Sequence, residues 1–78
     1  MKIEIRLLDD IRNEHGKLLE IVETNGADYS KAQEIALSAM IRQARSTFGA
    51  DNYEARTDTS IFGGYYRSRS NGDCIIAR

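Results

Sequence analysis

The stretch DYSKAQEIALSAMIRQARSTF, Asp28 to Phe48, decides the fold, because it is the only clear helix in a chain of 78 residues. It contains Ala32, Ala36, Ala39 and Ala44, no proline and no internal glycine. Apolar residues recur at Ala32, Ile35, Ala36, Ala39, Met40 and Ala44, with Leu37, Ile41, Ala44 and Phe48 as a second row. Spacings of three and four residues place such side chains on one buried stripe of a helix. The ends are marked as well. Asp28 can cap the N-terminus, or Ser30 can do so with Gln33 reaching back. Gly49 stops the helix, and Arg42 and Arg45 lie where its dipole favours a cation.

Upstream, residues 2–8 read as a strand, with Ile3, Ile5 and Leu7 alternating against Lys2, Glu4 and Arg6. Asn13 to Lys17 has the composition of a hairpin loop, with Gly16 where a positive φ is needed, and Leu18 to Glu23 is the return strand. Ile11, His15, Leu18 and Val22 also fit a helical stripe over residues 9–23, capped by Asp9 or Asp10. Gly16 inside such a helix costs about 1 kcal/mol relative to alanine, which favours the hairpin.

Downstream, Tyr53, Ala55, Thr57 and Thr59 alternate with Glu54, Arg56 and Asp58, as in a strand with one wet face. Ile61-Phe62 starts another extended piece, broken by Gly63-Gly64. Asn71-Gly72 predicts a two-residue type I′ turn with Ser70 opposite Asp73, hence the pairs Arg69–Cys74, Ser68–Ile75, Arg67–Ile76 and Tyr66–Ala77. One face of that hairpin holds Tyr66, Ser68, Ile75 and Ala77; the other holds Tyr65, Arg67, Arg69, Cys74 and Ile76. The pattern leaves open which face is buried. The expected fold is α+β, in the order β-β-α-β-β with room for one more short strand. It is a single domain (1–78) in which an antiparallel sheet carries one long helix on one face.

Composition narrows the function classes. Apolar residues make up 41% and charged residues 29%, as in an ordinary globular domain rather than a disordered chain. No run approaches a membrane span, and MKIEIRLLDD lacks a signal-peptide pattern. The single cysteine, Cys74, cannot form an internal disulfide, so a reducing, cytoplasmic setting is expected. Stability must then come from packing, and the chain is expected to be a monomer or homodimer. The net charge of −1 is unevenly distributed: residues 1–39 hold five Lys/Arg against eight Asp/Glu, residues 40–78 six arginines against four acids. A sequence-independent nucleic-acid binder would be basic overall, because phosphate neutralisation supplies most of its affinity.

Catalytic signals are thin. His15 is the only histidine and sits at a predicted loop tip; one His and one Cys match no zinc spacing. Asp9, Asp10 and Glu14 could offer oxygens to a hard cation, but no calcium loop surrounds them and an acidic turn explains them. Cys74 has arginines nearby but no histidine beside it, and reads as a small strand residue. Gly63-Gly64 belongs to no phosphate-binding motif and suits a bulge or bend. The chain is therefore expected to be non-catalytic, without metal or cofactor. The most informative cluster is Tyr65, Tyr66, Arg67 and Arg69, with Tyr53, Arg56 and Phe62 on neighbouring strands. Aromatics and guanidiniums dominate protein-interface hot spots and also stack and clamp single-stranded nucleic acid. A solvated sheet face with one tyrosine in the core is the plain alternative. Glu4, Asp9, Asp10, Glu14, Glu20 and Glu23 on the first hairpin have a parallel choice: plain solubility, or a negative patch that engages a basic site on a partner.

Two resemblances follow from these residues. The segment Tyr65-Tyr66-Arg67-Ser68-Arg69-Ser70-Asn71-Gly72-Asp73-Cys74-Ile75-Ile76 resembles the terminal hairpin of RelE-type toxins, which implies ribosome-dependent mRNA cleavage with Tyr66, Arg67 and Arg69 as functional candidates. The long helical hairpin those toxins place after their first strand has no counterpart in the pattern. In overall architecture, an N-terminal hairpin, Gly-Ala-Asp-Tyr-Ser and one alanine-rich helix, the chain resembles small phage-encoded inhibitors such as anti-CRISPR proteins. That likeness implies a catalytically inert module that covers the nucleic-acid-binding surface of a larger protein complex. The leading expectation is such a protein-binding inhibitor, contacting its partner through Tyr65, Tyr66, Arg67, Arg69, Asp9, Asp10 and Glu14. Direct nucleic-acid binding and a RelE-like ribonuclease are the alternatives.

Overall fold

A computed structural model of the chain describes residues 1–10, 16–57, 62 and 64–78. Its elements run β1 (Lys2–Leu8), β2 (Lys17–Glu23), α1 (Tyr29–Phe48), β3 (Tyr53–Arg56), β4 (Tyr65–Ser68) and β5 (Cys74–Ala77). The strands form one antiparallel sheet in the order β2-β1-β5-β4-β3. The fold is the expected α+β, and three strands follow the helix. The strand at Lys17–Glu23 replaces the helical reading of residues 9–23; residues 11–15, including His15 and Glu14, lie outside the described residues. The strand expected over 53–59 ends at Arg56, and residues 58–61 and 63 likewise lie outside the described residues.

Asp28 caps α1 by accepting the Lys31 N–H at 2.8 Å, and the Gly49 N–H closes the other end on the Arg45 carbonyl at 3.1 Å. The buried helical residues are Ala32, Ala36, Ala39, Met40 and Ala44. Four of these five are alanine, so little side chain separates the helix backbone from the sheet. The bulk of the core comes instead from Ile3, Ile5, Ile75 and Met40, all fully buried between the layers, with Leu19, Val22, Leu37 and Phe48 packed around them.

The final hairpin corrects one expectation. Tyr66 lies opposite Ile75 and Arg67 opposite Cys74, two residues out of the register that a two-residue turn would impose. The Ser68 N–H donates to the Asp73 carbonyl at 2.7 Å, leaving residues 69–72 as a four-residue loop. The Ser68 hydroxyl accepts the Ser70 N–H at 3.1 Å and the Asn71 N–H at 3.5 Å, and Asn71 Oδ1 accepts the Asp73 N–H at 2.9 Å. A type I′ turn needs positive φ at both central residues, and here only Gly72 has it, at 80°. Local side-chain bonds thus favour a longer loop over the tight turn. A shift of two residues preserves the faces, so Tyr66, Ser68, Ile75 and Ala77 look toward the helix.

The helix-free face is partly closed as well. Alternation puts Leu8, Cys74 and Ile76 on it, through the pairs Leu8–Cys74 and Arg6–Ile76, and all three are buried. β5 is therefore buried along its whole length, as a central strand with neighbours on both sides should be.

Candidate interaction face

The antiparallel registers bring four of the seven expected site residues onto one side of the sheet. Arg56 pairs with Tyr65, Glu54 with Arg67, and Arg67 with Cys74, all on the face away from the helix. β1 ends beside them and delivers Asp9 and Asp10. Together Asp9, Asp10, Arg56, Tyr65, Arg67, Asn71, Gly72 and Cys74 line a depression of about 350 Å³.

Arg67 is exposed and forms no salt bridge with a described residue. Its guanidinium lies along the Gly72 backbone, where an added methyl group would come within 3.3 Å of Nη2. Arg56 is engaged differently: its Nη2 donates to Glu54 Oε1 at 2.8 Å, and this guanidinium holds the Glu54 carboxyl below the usual carboxylate range. Burial pushes the Cys74 thiol up, which outweighs the opposing pull of the Arg67 charge, and Sγ donates to the Gly72 carbonyl at 3.5 Å. A thiol held protonated is a poor nucleophile.

The other expected residues are placed elsewhere. Tyr66 faces the helix, packs on the core and meets Tyr53 edge-on at 5.6 Å; burial raises its phenol pKa. Arg69 sits in the 69–72 loop, its N–H bonded to the Asn52 carbonyl at 3.1 Å, outside the lining of the depression. Glu14 falls outside the described residues. Phe62, close in sequence to Arg56 and Arg67, stacks instead on Tyr29 at 5.9 Å beside the start of the helix and is not in the lining of the depression. Arg56, set beside the cluster by the sequence, joins the lining, and Asn71 and Gly72 are additions to it. Arg56 is legible as an outward residue of its strand, but only the register sets it opposite Tyr65; Asn71 faces the site only because the loop is four residues long.

Chemically, the depression offers two guanidiniums, one of them paired with Glu54, together with a phenol, a thiol and two carboxylates. It can accept a carboxylate or phosphate at Arg67, and Asp9 and Asp10 add negative charge to the same lining. Among the described residues no three His, Cys, Asp or Glu side chains converge as a metal site, and no helix is long and apolar enough to cross a membrane. Comparison of the chain with protein-family models, with curated proteins and with solved structures finds no match.

Proposed function

We propose that the chain is a non-catalytic binding protein of the phage-inhibitor type, docking on a larger nucleic-acid-handling protein through the helix-free face of its sheet. The observation that supports this reading is the convergence of Tyr65 and Arg67 with Asp9 and Asp10 around one depression. An aromatic and an exposed arginine flanked by carboxylates suit a mixed-charge protein surface better than a phosphate backbone, which the two aspartates disfavour.

The test is capture of a partner from the source cell by the tagged wild-type chain, followed by titration of Arg67→Ala, Tyr65→Ala and a control, Arg45→Ala, at the far end of the helix. Loss of Arg67 should weaken the complex by about 2 kcal/mol or more, as removal of a central hot spot does. Arg45→Ala should leave it unchanged. A salt titration against a labelled single-stranded oligonucleotide separates the alternative: binding that falls steeply with salt and depends on Arg67 would replace the protein-partner reading with direct nucleic-acid binding. Growth arrest with mRNA cleavage, lost in Arg67→Ala, would replace it with the ribonuclease.

A further inference from the structure

β2 and β3 are the two edges of the sheet, and they differ in kind. β3 is four residues long and carries Glu54 and Arg56, bonded to each other. β2 is seven residues long and leaves Leu18 and Ile21 exposed at 41% and 52%. Protective edges are short or charged; a long edge with exposed aliphatic side chains is a template for another strand.

Backbone directions on β2 sharpen this. Glu4 exchanges both of its backbone hydrogen bonds with Arg78, next to β5, at 2.9 Å each, so its N–H and C=O turn away from Ile21 opposite. The same alternation turns Arg6 toward Ile76 and away from Leu18. Leu18 and Ile21 therefore direct their own backbone groups to the free edge, at the positions where an added strand would bond. They are three residues apart rather than two because a bulge intervenes: Ile5 pairs with Glu20 and Arg6 with Leu18, passing over Leu19.

That spacing makes β2 complementary to itself. Run antiparallel to its own copy about the midpoint between Leu19 and Glu20, Leu18 faces the second copy's Ile21 and Ile21 faces its Leu18. Both pairs lie on one face, at hydrogen-bonding positions. In an unbulged strand, residues three apart point to opposite faces and the register fails. On the helix face the same register sets Lys17 diagonal to the second copy's Glu20, a pair of opposite charges. We infer that β2 pairs antiparallel with β2 of a second copy of this chain, joining two sheets edge to edge into one continuous sheet and extending the helix-free face across both copies.

Sedimentation velocity over a range of concentrations, with amide hydrogen exchange, tests this on the whole chain. The expected result is a monomer–dimer equilibrium in which the Leu18 and Ile21 amides exchange more slowly as concentration rises. Ile21→Lys or Leu18→Lys should weaken association about tenfold or more, since each sets two charges against aliphatic neighbours across the symmetric pair. Combining Leu18→Lys with Ile21→Glu should restore the dimer, because opposite charges then meet in both pairs. Both side chains are exposed, and unchanged circular dichroism of the variants shows that the fold is retained. Arg67→Ala should leave the dimer intact, so failure of the docking face and failure of this edge are read separately. A chain monomeric at every concentration overturns the inference. So does a dimer indifferent to both single substitutions, or one whose protection maps to other amides. Protection of β2 that appears only when a strand of another protein is supplied overturns the second copy as its occupant.

Discussion

A methyl group at Gly16 would stand 2.1 Å from Leu8 Cδ2 and 2.5 Å from the Leu7 carbonyl oxygen, and the residue holds φ at +64°. Backbone strain and a clash with a backbone atom add together there. Gly16→Ala should destabilise the chain by about 2 kcal/mol or more, read as a lower urea midpoint with the transition slope unchanged. The need for a glycine at this turn was legible in the sequence; the approach of β1, which makes it severe, was not. Tyr66 teaches the same lesson. Its alternation with Tyr65 was plain, so one of the two had to face the core. Only the covering helix decides that Tyr66 is the one beside Tyr53, leaving Tyr65 beside Arg67 on the open side.

At the scale of elements, α1 could be read almost to the residue, because its apolar spacing, its cap and its glycine are all local signals. The Asp28 side chain accepts one of the helix's first free N–H groups. Asp28→Ala should cost about 1 kcal/mol, measured by denaturation, while Ser30→Ala, inside the first turn rather than at the cap, should cost much less. The β4–β5 connection departs from the tight turn that Asn71-Gly72 predicts for a reason of the same kind. Asn-Gly favours a tight turn, but Ser68, Asn71 and Asp73 supply a competing set of short-range bonds that closes a four-residue loop. Two local preferences compete there, and strand pairing with β1 on the far side of β5 helps to select between them.

For the molecule as a whole, Glu20 is the polar link between layers. It accepts from Gln43 and Arg42 on α1 while sitting on β2. Those bonds, the Gln43 amide foremost, hold its carboxyl below the usual range despite some opposing burial. A carboxyl whose pKa is lower in the folded chain adds stability above the ordinary carboxylate range and loses it as the pH falls through that range. Thermal unfolding should therefore show stability declining between roughly pH 6 and pH 3, and Glu20→Gln should make that decline shallower. Glu4, Glu23 and Glu54 are depressed in the same direction, in pairs that each have at least one solvent-exposed member and that salt will screen, so a residual slope should remain in the variant and shrink at high salt.

The amino-acid order alone determined the helix, its glycine stop, the two faces of β1, β3, β4 and β5 and the α+β class, because each rests on local periodicities and end signals. Strict alternation fails in β2, where the bulge at Leu19 puts Leu18 and Ile21 on one face and Leu19 and Val22 on the other. The tertiary structure decided that β5 lies between β1 and β4, that the helix-free side buries Leu8, Cys74 and Ile76, and that Asp9 and Asp10 meet Tyr65 and Arg67 across more than fifty positions of chain. Those outcomes depend on which strand pairs with which and in what register. Pairing is set by the summed burial of the whole sheet against one helix, a quantity that no local window of sequence contains.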